Sequence, residues 1–220
     1  MTPLVIHTYG YFSARENPDG SLSHSGPKRG EGYQYIAPDG TRYQRNWTYQ
    51  QDGSPTGITG HAVTGLVADG KQDVVLTVIN RVRRIYGEER TEYPVTGGAD
   101  APGPSALDLE SSPCEVRQAL QDGRATRKGT TMVNGVPAIA FSVPAPFSQR
   151  FRLTLHVDAR TYQPLRAVTV VDGHPGPRVA DWLPATPENI AKATDDESIP
   201  ADYTKVDDLS QALTPASHPG

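Results

Sequence analysis

Six histidines carry most of the chemistry this sequence can offer near neutral pH, because imidazole is the side chain that titrates there unperturbed. They stand at His7, His24, His61, His156, His174 and His218, and none lies within four residues of another. That spacing excludes an H-E-x-x-H zinc helix, and the chain also lacks a G-x-S-x-G elbow, a G-x-x-x-x-G-K loop and a G-x-G-x-x-G turn. Folding could still gather His7, His61 and His156 beside a carboxylate or a tyrosine, which is what a general base needs. His156 falls on the polar side of an alternating segment, where a solvated histidine is the plainer reading. Asp195, Asp196 and Glu197 lack the alternating oxygen ligands and internal glycine of a calcium loop, and read as a solvated segment after a helix. Cys114 is the one cysteine, so neither an internal disulfide nor a cysteine-based metal site can form. The motifs therefore predict no catalytic residue, no metal and no cofactor.

The aromatic residues are the more suggestive set. Tyr9, Tyr11, Tyr33, Tyr35, Tyr43, Trp47 and Tyr49 recur at i, i+2 or i+4 spacing, which places each set on one face of its strand. Tyrosine and tryptophan combine apolar area with a polar tip, which suits a half-wet cavity wall. The competing reading is cross-strand pairing that only stabilises a sheet. Further along, Phe151, Leu153, Leu155 and Val157 alternate with Arg152, Thr154, His156 and Asp158, so one face is buried and the other polar.

These residues must be positioned mainly by strands. Gly and Pro number 21 and 20 in 220 residues. That is rich in turn formers but below the level of low-complexity chains, and it excludes a coiled coil or helical bundle. Leu4–Phe12 reads as an opening strand. Asp39-Gly40 joins strands at Gly32–Ala37 and Thr41–Tyr49. Val74–Ile79 continues into Asn80–Tyr86, where β-branched content favours strand. Asn134-Gly135 joins Arg127–Val133 to Val136–Val143, and Phe151–Asp158, Gln163–Asp172 and Val179–Leu183 complete a meander. Loops are expected at 17–32, 50–60 and 94–105. Ser112-Pro113-Cys114-Glu115 is a capping box that starts a helix ending at Gly123, and Thr186-Pro187-Glu188 starts a second that runs to about Ala193. The formal net charge of −4 and a pI near 5.8 argue against nucleic acid as a partner. Arg81, Arg83 and Arg84 form one basic cluster, followed at once by Glu88 and Glu89.

One segment carries a family likeness. Leu155-His156-Val157-Asp158-Ala159-Arg160-Thr161-Tyr162-Gln163-Pro164-Leu165-Arg166 resembles the strand-Asp-x-x-Thr-x-x-Pro-Leu-Arg-strand hairpin of the LolA/LppX-like superfamily, which includes the MucB/RseB sensor domains. Val133-Asn134-Gly135-Val136-Pro137-Ala138 resembles a strand entry of the same group. The stretches Asp181–Ile190 and Ile199–Thr204 look like the tail of actinobacterial envelope proteins, some of which accompany extracytoplasmic-function sigma factors. The resemblance covers about residues 112–206.

What the resemblance implies is an α+β fold: a curled antiparallel sheet forming an unclosed half-barrel, with one or two short helices packed on it. It implies a single domain over 1–206 with a flexible tail at 207–220. Members of the family bind acyl chains, lipoproteins or lipophilic molecules on the concave face, and they are not enzymes. The leading expectation is a non-enzymatic binding or sensing domain for a lipophilic or lipoprotein ligand. Phe151, Leu153, Leu155 and Val157 would line the cavity, and Tyr33, Tyr35, Tyr43 and Trp47 would form its rim. The second is an ectodomain interaction module that meets a membrane-associated protein through a sheet edge or Arg81–Arg84. The third is a small barrel enzyme acting on a hydrophobic substrate. The start, Met1-Thr2-Pro3-Leu4, has no basic region or long apolar run. The location expected is the cell envelope, as a fragment without signal or anchor, with the cytoplasm as the alternative.

Overall fold

Asn134 and Gly135 both take positive φ, 48° and 81°. That is the backbone of a type I′ turn, whose twist matches the strands it joins. Asp158 closes a second turn: its Oδ1 accepts hydrogen bonds from the backbone N–H of Arg160 and Thr161, at 2.7 and 2.8 Å, and Thr161 Oγ1 accepts from Gln163 N–H. Asp39 Oδ1 does the same for Thr41 N–H. The computed structural model that contains these turns describes residues 3–10, 15–16, 22–23, 29–49, 54–67, 71–94, 113–145, 148–171, 174–195 and 198–214.

The chain divides into two units, residues 1–95 with 184–220, and residues 96–183. The first contains β1 (Leu4–Gly10), the two-residue strands β2 (Arg15–Glu16) and β3 (Leu22–Ser23), and β4 (Arg29–Ile36). It continues with β5 (Arg42–Tyr49), β6 (Pro55–Val67), β7 (Lys71–Asn80) and β8 (Ile85–Pro94). The second contains α1 (Pro113–Gln121), β9 (Thr126–Val133), β10 (Val136–Ala145), β11 (Ser148–Asp158), β12 (Pro164–Val171) and β13 (His174–Leu183). The chain then returns to the first unit with α2 (Pro187–Thr194), β14 (Thr204–Val206) and α3 (Leu209–Leu213). Among the described residues the fold is α+β, dominated by antiparallel sheet that is not closed into a barrel, with three short helices.

In the first unit the strands run in the order β14-β8-β7-β6-β5-β4-β1, all antiparallel except β14 on β8. The two faces carry different helices. Ile58 and Val78 lie on one face, covered by Ala212 and Leu209 of α3. Asn80, 0% exposed, fixes that helix. Its Nδ2 donates to the carbonyls of Ala212 and Thr214, at 3.1 and 3.0 Å, and its Oδ1 accepts from Arg83 N–H. On the opposite face α2 packs over β4 and β5. Thr186 caps α2 by accepting from Asn189 N–H, and Pro187 opens its first turn.

In the second unit the order is β13-β12-β11-β10-β9. Ala180, Ala167, Leu155 and Phe141 face one another across four strands and are all buried. Burying a side chain the size of Leu155 or Phe141 is worth about 1.5–3 kcal/mol. Val116 and Ala119 of α1 are fully buried, and Arg117 donates to the Thr161 carbonyl at 2.8 Å while stacking over Tyr162.

Several described segments differ from the sequence expectation; within the loop expected at 17–32, residues 22–23 and 29–32 are strand. Residues 81–84 form the turn between β7 and β8 rather than a strand, because Asn80 Oδ1 captures Arg83 N–H and Arg84 takes φ of 55°. Residues 55–60, expected as a polar loop, open β6: Thr56, Ile58 and Thr59 are buried there, and Gly57, at φ of 74°, supplies a kink that an L-residue resists. Residues 209–213, expected within a flexible tail, form α3, held by the Asn80 hydrogen bonds. Of the loop expected at 94–105, Pro94 ends β8 and residues 95–105 lie outside the described residues, as do most of 17–28 and the cap residue Ser112.

Candidate functional site

The register of the first unit sorts its chemistry into rows, because directly opposed residues in an antiparallel pair share a face. One row across five strands is Val5, Tyr35, Tyr43, Val63 and Val75. The next is His7, Tyr33, Arg45, His61, Thr77 and Glu88. The third is Tyr9, Glu31, Trp47, Thr59, Ile79 and Tyr86. An apolar row thus adjoins a polar, titratable one on the face that α2 covers in part.

Tyr33, Tyr35, Tyr43 and Trp47, singled out from the sequence, all lie on this face. Tyr35 and Tyr43 stack at 6.0 Å, and Tyr33 meets Trp47 edge-on at 6.0 Å. Lys192 of α2 places Nζ 5.6 Å above the Tyr33 ring, and the Arg45 guanidinium lies 4.8 Å over Trp47. Burial, then the neighbouring Glu31 carboxylate, push the Tyr33 phenol above its ordinary value, and Lys192 opposes them.

A pocket of about 500 Å³ opens on the same face. Its floor is Val63, Val75, Thr77 and Ile79, with His61 and Tyr43 on one side and Glu88 on another. The C-terminal end of α2, at Ala193 and Thr194, forms a wall, continued by Ser198 and Ile199. Val63 and Val75, directly opposed, are 40% and 36% exposed. Glu88 pairs with Lys205 of β14 in an exposed ion pair.

Of the expected site residues, Tyr43 lines this pocket, and Tyr33, Tyr35 and Trp47 neighbour it on the sheet. The expected aliphatics belong to β11 in the second unit. Leu155 and Val157 are 2% and 0% exposed, and Leu153 is half-buried. The Phe151 side chain lies outside the described residues. The pocket residues that sequence reasoning missed include Val63, Val75, Thr77, Ile79, Glu88 and Ile199. The alternation of Val63 on β6 and of Val75, Thr77 and Ile79 on β7 was the available signal, and it does not reveal which helix stands over them.

The histidines separate. His7 Nε2 lies 2.9 Å from Glu31 Oε1, and Glu31 Oε2 accepts from the Tyr49 hydroxyl at 3.0 Å. Neither His7 nor Glu31 lines the pocket. His61 does line it. His156 lies in the second unit, where burial holds its imidazole below the ordinary value and a hydrogen bond with the Arg166 backbone opposes that. Its Nδ1 is buried with no hydrogen-bond partner among the described residues. Beside it Arg166 grips Asp181 through two hydrogen bonds, at 2.6 and 3.0 Å. Among the described residues no group of three His, Cys, Asp or Glu is placed to hold a metal ion, and no helix is long and apolar enough to cross a membrane. The basic turn is engaged internally: Arg83 donates to the Gln211 carbonyl, and Arg84 pairs with Asp202.

No protein-family model and no curated protein matches the sequence. Solved structures do. The MucA/MucB complex of Pseudomonas aeruginosa matches at 18% identity and a TM-score of 0.36, over 90% of this chain and 58% of that one. The chain therefore spans rather less than two thirds of the MucB it matches. A putative outer membrane lipoprotein-sorting protein domain from Vibrio parahaemolyticus matches at 8% identity and a TM-score of 0.29, over 84% of this chain and 83% of the other. A LolA superfamily protein from Nitrosomonas europaea matches at 9% identity and a TM-score of 0.20, over 88% and 90%.

Proposed function

We propose that the chain is a non-enzymatic binding or sensing domain of the cell envelope whose ligand is a lipophilic molecule or a lipoprotein. The observation that carries this reading is the pocket beside α2, with Val63 and Val75 exposed on its floor. Opposed β-branched side chains in mid-sheet are ordinarily covered, and covering them returns about 25 cal/mol per Å² of apolar surface. A volume of about 500 Å³ lies within the usual range for small-molecule sites, roughly 300–1,000 Å³. The envelope location rests on the sequence resemblance.

The test is mass spectrometry of an organic extract of the purified protein, together with displacement of an apolar dye. A copurifying lipid, or dye binding that weakens in Val75→Asn, is the expected outcome. Absence of both would leave the interaction module as the better reading, with a membrane-associated protein as its partner.

A further inference from the structure

We infer that the pocket takes an aliphatic amphiphile with an amine head group, an inference that rests on the binding reading above and narrows it. A pocket of about 500 Å³, within the roughly 300–1,000 Å³ usual for small-molecule sites, has room for an alkyl chain with a small head group.

The rows set the orientation. Tyr43, Val63 and Val75 form an apolar track across three strands. His61, Thr77 and Glu88 form a polar track two residues along each strand, which is roughly 7 Å away at the rise of a strand. A chain lying on the first track reaches the second with its head group.

Charge sets the head group. Glu88 is the one Asp, Glu, Lys or Arg among the lining residues. The ammonium that meets it, Lys205 Nζ, comes from β14 and is not part of the wall. Lys205 and Glu88 are 51% and 39% exposed, and ion pairs so exposed contribute little to stability. A ligand ammonium can join or replace Lys205, whereas a ligand carboxylate meets a like charge.

The experiment is calorimetric titration of the whole chain with dodecylamine and with dodecanoate, below micelle formation and at neutral pH, for the native protein, Glu88→Gln and Lys205→Gln. Both substitutions break the same ion pair, so any damage to β14 is common to them, and circular dichroism confirms folding. The expected result is one dodecylamine per chain and a preference for the amine of about tenfold. That preference falls to near unity in Glu88→Gln and rises in Lys205→Gln. Equal or tighter binding of dodecanoate, or the same direction of change in both variants, overturns the inference. If a two-chain lipid copurifies while dodecylamine shows no preference, the inference fails and the binding reading stands. If neither probe nor dye binds and no lipid copurifies, both fail.

Discussion

The His7 imidazole lies nearly parallel to the Tyr33 ring, 4.4 Å between centroids and 10° between planes, while Nε2 of the same imidazole reaches Glu31. The two residues are directly opposed on β1 and β4. Glu31 therefore acts on both neighbours, accepting from His7 and raising the Tyr33 phenol. In Glu31→Gln the Tyr33 phenol moves back towards its ordinary value. A tyrosinate absorbance titration, with Tyr33→Phe subtracted, reads this directly. Because the folded value is raised above the unfolded one, the stability linked to Tyr33 is present below the unfolded value and is lost as pH rises through the folded one. No alkaline shift of Tyr33 on titrating the native protein would refute the arrangement.

His156 predicts the opposite end of the pH scale. Its folded value is depressed by burial, so the unfolded chain takes up the proton first as pH falls. Stability should therefore begin to fall near about pH 6.5 and level off once the folded imidazole also protonates. Urea midpoints between neutral and mildly acid pH should show this slope in the native protein and a flatter one in His156→Gln.

Asn80 should be the costliest polar side chain to remove from the first unit. Asn80→Ala leaves the carbonyls of Ala212 and Thr214 and the N–H of Arg83 without their partner, a loss of about 2–4 kcal/mol. Urea denaturation measures the loss, and limited proteolysis should show cleavage moving to residues 207–214.

Gly57→Ala should destabilise by about 1–3 kcal/mol. The added Cβ would stand 2.7 Å from Val82 Cγ2, at a φ of 74°. In the double variant with Val82→Ala the contact is relieved and the backbone strain remains, so the recovery should be partial. Full recovery would assign the whole cost to the contact.

Leu155→Ala and Val75→Ser should separate core from pocket. Leu155 is 2% exposed, and its truncation should cost about 2–5 kcal/mol. Val75, 36% exposed, should change the urea midpoint little while weakening dye binding. Weakened dye binding in Leu155→Ala at unchanged stability would instead put the ligand in the second unit.

What the sequence revealed was local. Asn134-Gly135, Asp39-Gly40 and the Asp158 turn specify themselves within four residues, and Thr186-Pro187 specifies the start of α2, so all four read correctly. The opening of β6 did not, because Thr56 and Gly57 look like loop residues until tertiary contacts bury Thr56 and Val82 approaches Gly57. Helix α3 is five residues long, too short to stand by propensity, and its anchor is Asn80, which is distant in sequence. The pocket was hidden for the same reason. Tyr43, Val63 and Val75 become neighbours only through the register of three strands, and Ala193, which joins them, comes from beyond residue 183 in the sequence.

The division of the first unit into residues 1–95 and 184–220 fixes an order of events on the ribosome. At roughly 5–20 residues per second, β1 to β8 wait several seconds while the second unit is made. During that interval the aromatic face has no α2 over it, and Ile58 and Val78 have no α3. Nascent chains halted at Leu183 should thus offer chaperones two uncovered sheet faces, and residues 184–214, which carry α2, β14 and α3, should be the ones that release them.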